Sequence, residues 1–135
     1  MTATNFSPTL RNARGQAIID AIGTGGAGSI NFYTATRPAA GVAIDTQTLL
    51  ATVECSLPAG TVTGGVVTFS AITDDILADE TGTAAWARVL DGAGDWVMDL
   101  DVTLTAGDGP IKMPSTLIYQ GGIVHFSSLV MTEGN

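Results

Sequence analysis

GTAAWARVLDGAGDWVMDLDV, residues 82–102, is the stretch that decides the fold. Asp91-Gly92-Ala93-Gly94-Asp95 is dense in turn formers, and β-prone residues flank it on both sides, so it reads as a hairpin with arms 82–90 and 96–102. The second arm alternates: Trp96, Met98, Leu100 and Val102 fall on one face, Asp99 and Asp101 on the other. That two-residue period belongs to a half-buried strand. It also makes Trp86 and Trp96 candidates to face each other across the hairpin as core anchors, each in phase with apolar neighbours.

Working outward, residues 29–34, 49–55 and 66–72 read as further strands, and 116–119 with 123–131 as a last pair around Gln120-Gly121-Gly122. Leu57 to Gly60 ends the second of these, residues 39–47 form a loop, and 73–82 is an acidic connection. Only one helix is expected. Ser7 is placed to cap it, Pro8 suits its first turn, and Gly23 stands where a left-handed C-cap is wanted. Leu10, Ala13, Ala17, Ile18, Ala21 and Ile22 supply an apolar stripe, while Gly15 costs the helix about 1 kcal/mol relative to alanine. Arg14 falls within the stripe and Arg11 at its edge. Their stems either lie along the core margin with the guanidiniums in water, or one of them meets a carboxylate of this or a neighbouring chain. The fold expected is mainly β, a β-sandwich or jelly-roll-like barrel with one short N-terminal α-helix. It is a single domain over residues 1–135 with no internal repeat, its N-terminal arm and helix covering about 1–23.

Composition narrows the function. The 135 residues are 45% hydrophobic and only 13% charged, the opposite of a disordered chain. Thirteen Asp+Glu against five Lys+Arg give a net charge of −8, which argues against nucleic acid and against an anionic membrane surface. Cys55, the one cysteine, excludes an internal disulfide and a cysteine-based zinc site. Residues 1–14 lack the pattern of a signal peptide and no apolar run is long enough to span a membrane, so a soluble protein made in a cytosol is expected. So weakly charged a surface, rich in Gly and Ala, points to one that partners cover.

No set of residues announces catalysis. Asp91 to Asp95 with Asp99 and Asp101 offers oxygens to calcium, but Asp-Gly pairs make turns and the spacing is not that of an EF-hand. Asp74, Asp75, Asp79 and Glu80 read as a solvated cluster that a partner's basic residue can use. His125, the sole histidine, has no nucleophile elbow to serve and reads as structural or interfacial. The glycine run 23–28 follows a helix rather than opening one and lacks Gly-Lys-Ser/Thr, so it is a linker or cap and not a phosphate loop. No cofactor is implied.

Four motifs carry a resemblance. They are Thr9-Leu10-Arg11-Asn12-Ala13-Arg14 with Ala17 to Ile22; Thr36-Arg37-Pro38; Gly82 to Gly92 continuing to Val97-Met98-Asp99; and Met131-Thr132-Glu133-Gly134-Asn135. In this order, over almost the whole chain, they resemble a family of small virion structural proteins of tailed bacteriophages. The resemblance implies a capsid decoration (cement) protein on the outer surface of the head, with a tail, head–tail or fibre component as the alternative; a carbohydrate-binding adhesion module is a separate reading that exposure of Trp86 or Trp96 would favour. It implies no enzyme activity. The partners implied are the major capsid protein and sister subunits, in a homo-oligomer for which a trimer is one form, and the location is the virion. On this reading the N-terminal segment is adhesive, through Ser7, Leu10, Arg11, Arg14, Ile18 and Ile22.

Overall fold

The computed structural model describes residues 5–125 and 128–132. The elements, in chain order, are α1 (Pro8–Ile22), β1 (Ser29–Tyr33), β2 (Leu49–Glu54), β3 (Gly60–Thr63), β4 (Val66–Phe69), β5 (Gly82–Thr83), β6 (Trp86–Leu90), β7 (Trp96–Leu104), β8 (Ile111–Met113), β9 (Leu117–Ile118) and β10 (Ser128–Thr132). Eight of the strands form one mixed sheet in the order β2-β1-β6-β7-β8-β10-β4-β3, and β5 with β9 forms a small second sheet. The chain is mainly β with one short helix, its large sheet curled into a half-barrel.

Chain length alone requires the curl. Laid flat, seven inter-strand steps would hold the edge strands β2 and β3 about 34 Å apart. The link from Glu54 to Gly60 reaches about 20 Å when fully extended. The edges are therefore drawn together, and Glu54 and Thr73 exchange backbone hydrogen bonds at 3.3 and 2.9 Å across the gap. The helix packs on β3 and β4. Ile19 and Ile22 enter one core with Ile30, Phe32, Val53, Val67, Val89 and Ile111.

Ser7 caps α1 as expected, its hydroxyl accepting from the Leu10 N–H at 3.1 Å. At the other end Gly23 is not left-handed (φ −81°); its N–H continues to the Ile19 carbonyl, and the positive φ angles come later, at Gly25 and Gly26. The buried face also differs from the expected stripe. Leu10, Ala13, Ala17 and Ala21 are exposed, whereas Gly15, Ile19 and Ile22 are buried. The reason is the β3–β4 hairpin beneath. A Cβ at position 15 would lie 2.6 Å from Val62 Cγ2 and 2.9 Å from Val67 Cγ2, so the helix can approach only along its glycine. The helix rotates to put that position inward.

The β3–β4 hairpin itself departs from the expectation that Leu57 to Gly60 simply ends a strand. Gly60 begins β3, and Thr61↔Thr68 and Val62↔Val67 pair across a two-residue turn. Gly64 and Gly65 both have positive φ (58° and 78°), the conformation that two-residue hairpins favour. Two further departures concern the C-terminal strands. Residues 117–118 and 128–132 do not pair with each other: β9 pairs with β5, and β10 lies between β8 and β4. β7 and β8 run parallel with the register Val102↔Ile111. The six-residue link 105–110 suffices because only three residues of each strand overlap, and it is pinned by the Gly109 N–H to Thr103 Oγ1 (3.2 Å) and by Lys112 Nζ to the Gly107 and Gly109 carbonyls.

Candidate functional site

The central hairpin forms around Asp91 to Asp95, but its first arm begins at Trp86 rather than Gly82, because Gly82-Thr83 pairs with β9 in the small sheet. Its register also separates the two tryptophans. Trp86 lies opposite Asp101, and Trp96 opposite Leu90. A bulge between Val89 and Leu90 inserts one extra residue on β7 at Val97, and a one-residue slip sends the next side chain to the other face. Leu100 and Val102 stay inside, while Trp96 leaves the core face and is 45% exposed. Trp86 remains buried on the outer face, stacked on Tyr33 at 4.9 Å, with its Nε1–H donating to the Thr34 carbonyl at 2.9 Å.

Between the tryptophans sits a buried ion pair. Arg88 Nε and Nη2 donate to the two oxygens of Asp99 at 2.8 and 3.1 Å, and the guanidinium lies 5.3 Å from the Trp86 ring centre. The hydrogen bonds to Asp99 hold the Arg88 pKa above its ordinary value, against the opposing effect of burial. Asp99 Oδ1 also accepts the Trp96 indole N–H at 3.1 Å. The loop after β1 covers this row, tied down by Arg37 to Asp101 at 3.1 Å. Between that loop and β7 lies an open cleft of about 500 Å³, lined by Arg37 to Ala40 and Trp96 to Asp99.

A second feature lies against the edge strand β2. The acidic connection runs along the open edge of β2: Asp75 Oδ2 accepts the Thr52 N–H at 2.9 Å, and the Asp79 N–H donates to the Leu50 carbonyl at 2.8 Å. It is stitched to the 119–124 turn through Val124 N–H to Asp75 O (2.6 Å), Ala78 N–H to Gly122 O (3.0 Å) and Gly121 N–H to Ala78 O (2.8 Å). Ala78, Ala84, Ile118 and Val124 face inward and join the core. Ile76 (74% exposed), Leu77 (71%), Tyr119 (64%), Ile123 (71%) and Leu117 face outward. This lid is apolar on both sides.

His125 and Asp74 meet at the lid's edge, Nδ1 to Oδ1 3.0 Å, with both side chains well exposed. The Ser115 hydroxyl in the adjoining hollow accepts the Leu117 N–H at 3.2 Å and so closes a local turn. The acidic segment is thus part of the scaffold rather than merely solvated. Asp91 does what a turn residue does, its Oδ1 accepting the Ala93 and Asp95 N–H groups at 2.9 Å each. Among the described residues no three His, Cys, Asp or Glu side chains gather as a metal site. Among the described residues no helix is long and apolar enough to cross a membrane.

Comparison with known proteins yields no matching family model, curated protein or solved structure.

The six residues expected to be adhesive are divided by the fold. Ser7 and Leu10 face outward, and Ser7 is the helix cap. Arg11 Nη2 donates to the Gly64 carbonyl at 3.2 Å, beside Asn12 Oδ1, which accepts the Gly65 N–H at 2.7 Å. Arg14 lies over the Phe6 ring at 4.8 Å. Ile18 packs against the core margin and Ile22 is wholly inside. Arg11 thus engages a backbone carbonyl, and Arg14 an aromatic ring, of this chain. The lid escaped the sequence reading because Ile76-Leu77 and Ile123 lie in loops about 45 residues apart, and only the fold joins those two segments. Of the fourth motif, Glu133-Gly134-Asn135 lies outside the described residues.

Proposed function

We propose that this chain is a structural protein of a tailed-bacteriophage virion, a decoration protein that binds the outside of the head in many copies and cements its lattice. The observation that carries the reading is the lid. Five large apolar side chains are exposed on two mutually hydrogen-bonded segments, a feature of the kind that marks protein–protein contact. A surface held by its own backbone hydrogen bonds loses little conformational freedom on docking. Asp74, Asp79 and Glu80 accompany it on a chain of net charge −8, so it suits a partner whose rim carries Lys or Arg. The four motifs described above give the reading its context. The partners are the major capsid protein and sister subunits around a lattice symmetry axis, a trimer being the arrangement proposed, and the apolar contact lies chiefly on the lid rather than on α1.

The test is to image purified particles and to rebind the isolated chain to particles lacking it. Many copies over the head, heat-labile particles without them, and loss of rebinding by the double variant L77D/I123D are expected. Absence from virions overturns the function. A position at the vertex or tail replaces it with a head–tail or tail component, and unimpaired rebinding by the variant removes the lid from the interface.

A further inference from the structure

Exposed tryptophans are usually mobile on one side, but Trp96 is held. Its indole N–H is tied to Asp99, Asp99 is held by both donors of Arg88, and Arg88 is packed over Trp86. Behind the ring stands Gly41, where a Cβ would lie 3.2 Å from Cζ3 of Trp96. One part of the ring is therefore backed by the 37–41 loop while 45% of the residue stays open to solvent. The ring walls a cleft of about 500 Å³, within the range of small-ligand sites. A protein hot spot of this type projects into a partner's pocket; here the indole forms the side of a hollow in its own chain.

From this geometry we infer that the Trp96 cleft is a binding site for a neutral saccharide. An indole face takes the C–H face of a pyranose ring, and the polar groups at the rim take its hydroxyls. Arg37, which lines the cleft and is already paired with Asp101 at 3.1 Å, offers N–H donors without a net positive charge. Charge balance at the rim, on a chain of net charge −8, disfavours sialic or uronic acids and leaves neutral hexose or N-acetylhexosamine units. Fixing the indole through a buried pair removes the ordering cost that a weak ligand of this class could not offset. None of these residues belongs to the lid, so the inference stands or falls separately from the virion reading.

The full chain has two indole N–H groups, which makes the test direct. Maltohexaose, cellohexaose and chitohexaose, titrated to millimolar concentration, are followed by the two indole signals in a ¹⁵N-correlated spectrum and by calorimetry. At least one of them should shift the Trp96 signal saturably and leave that of Trp86 in place. W96A should weaken binding by about tenfold, whereas W96F keeps most of it, as expected for loss or retention of one aromatic stacking surface. Trp86 reports that each variant is folded. No Trp96 shift with any of the three sugars, or W96A binding as tightly as the unaltered chain, overturns the inference.

Discussion

Gly15→Ala separates helix propensity from packing, because the two predict opposite signs. In an isolated helix the change gains about 1 kcal/mol. In this fold the new methyl carbon falls 2.6 Å from Val62 Cγ2, 3.3 Å from Val62 Cβ and 2.9 Å from the buried Val67 Cγ2. Both neighbours are β-branched and stiff about χ1, so neither moves aside without a rotamer change or a shift of the hairpin. Overpacking of this kind costs about 1–3 kcal/mol, and two contacts below 3.0 Å place it toward the upper end. The net expectation is a loss of about 1–2 kcal/mol, seen as a lower urea midpoint at unchanged m value. The double variant G15A/V62A tests the cause: removing Val62 Cγ2, the methyl nearest the new one, should return at least about 1 kcal/mol relative to additivity, although Val67 Cγ2 still crowds the site. If Gly15→Ala alone raises the midpoint, the helix does not dock through its glycine and the account of its buried face is wrong.

Asp99→Ala leaves Arg88 buried without its carboxylate and should cost about 3–5 kcal/mol in denaturant unfolding; a loss below 1 kcal/mol would mean the pair is solvated. Its Trp96 fluorescence should also become more mobile in anisotropy, since the tie to the indole is gone. Asn12→Ala removes the acceptor of the Gly65 N–H and is expected to cost about 1–2 kcal/mol, with faster exchange of the Gly65 amide as the local readout. Burial, with Glu54 adding to it, pushes the Cys55 thiol up from 9.0 to about 11. The unfolded chain therefore releases this proton first, so stability is intact below pH 9 and falls between 9 and 11. The fall is at most about 3 kcal/mol, and it is absent from C55A. The native thiol should also react slowly with a thiol reagent at pH 8.

The fold was legible wherever a signal acts over a few residues. Ser7-Pro8 starts the helix and Ile22 ends it, strands stand at 29–33, 49–54 and 66–69, and the hairpin closes around Asp91 to Asp95. Gly64-Gly65 between TVT and VVTF carries the same kind of signal, a two-residue turn, but reading Leu57 to Gly60 as the end of a strand passes over the β3–β4 hairpin. The candidate sites were less legible. Alternation placed Trp96 with Met98 because a bulge of one residue leaves no mark on the hydrophobic pattern, yet it reverses every side chain beyond it.

What the amino-acid order settles unaided is where backbone elements begin, end and turn, because caps, prolines, glycine turns and a two-residue period act through neighbours in the chain. Tertiary structure alone decides which helix face is inside, since Val62 and Val67 exclude a side chain at position 15 from fifty residues away. It alone assembles the lid from residues 75–80 and 117–124, and it alone turns Trp96 outward onto Asp99. Burial and exposure depend on contacts between distant segments, and those exist only once the sheet has curled.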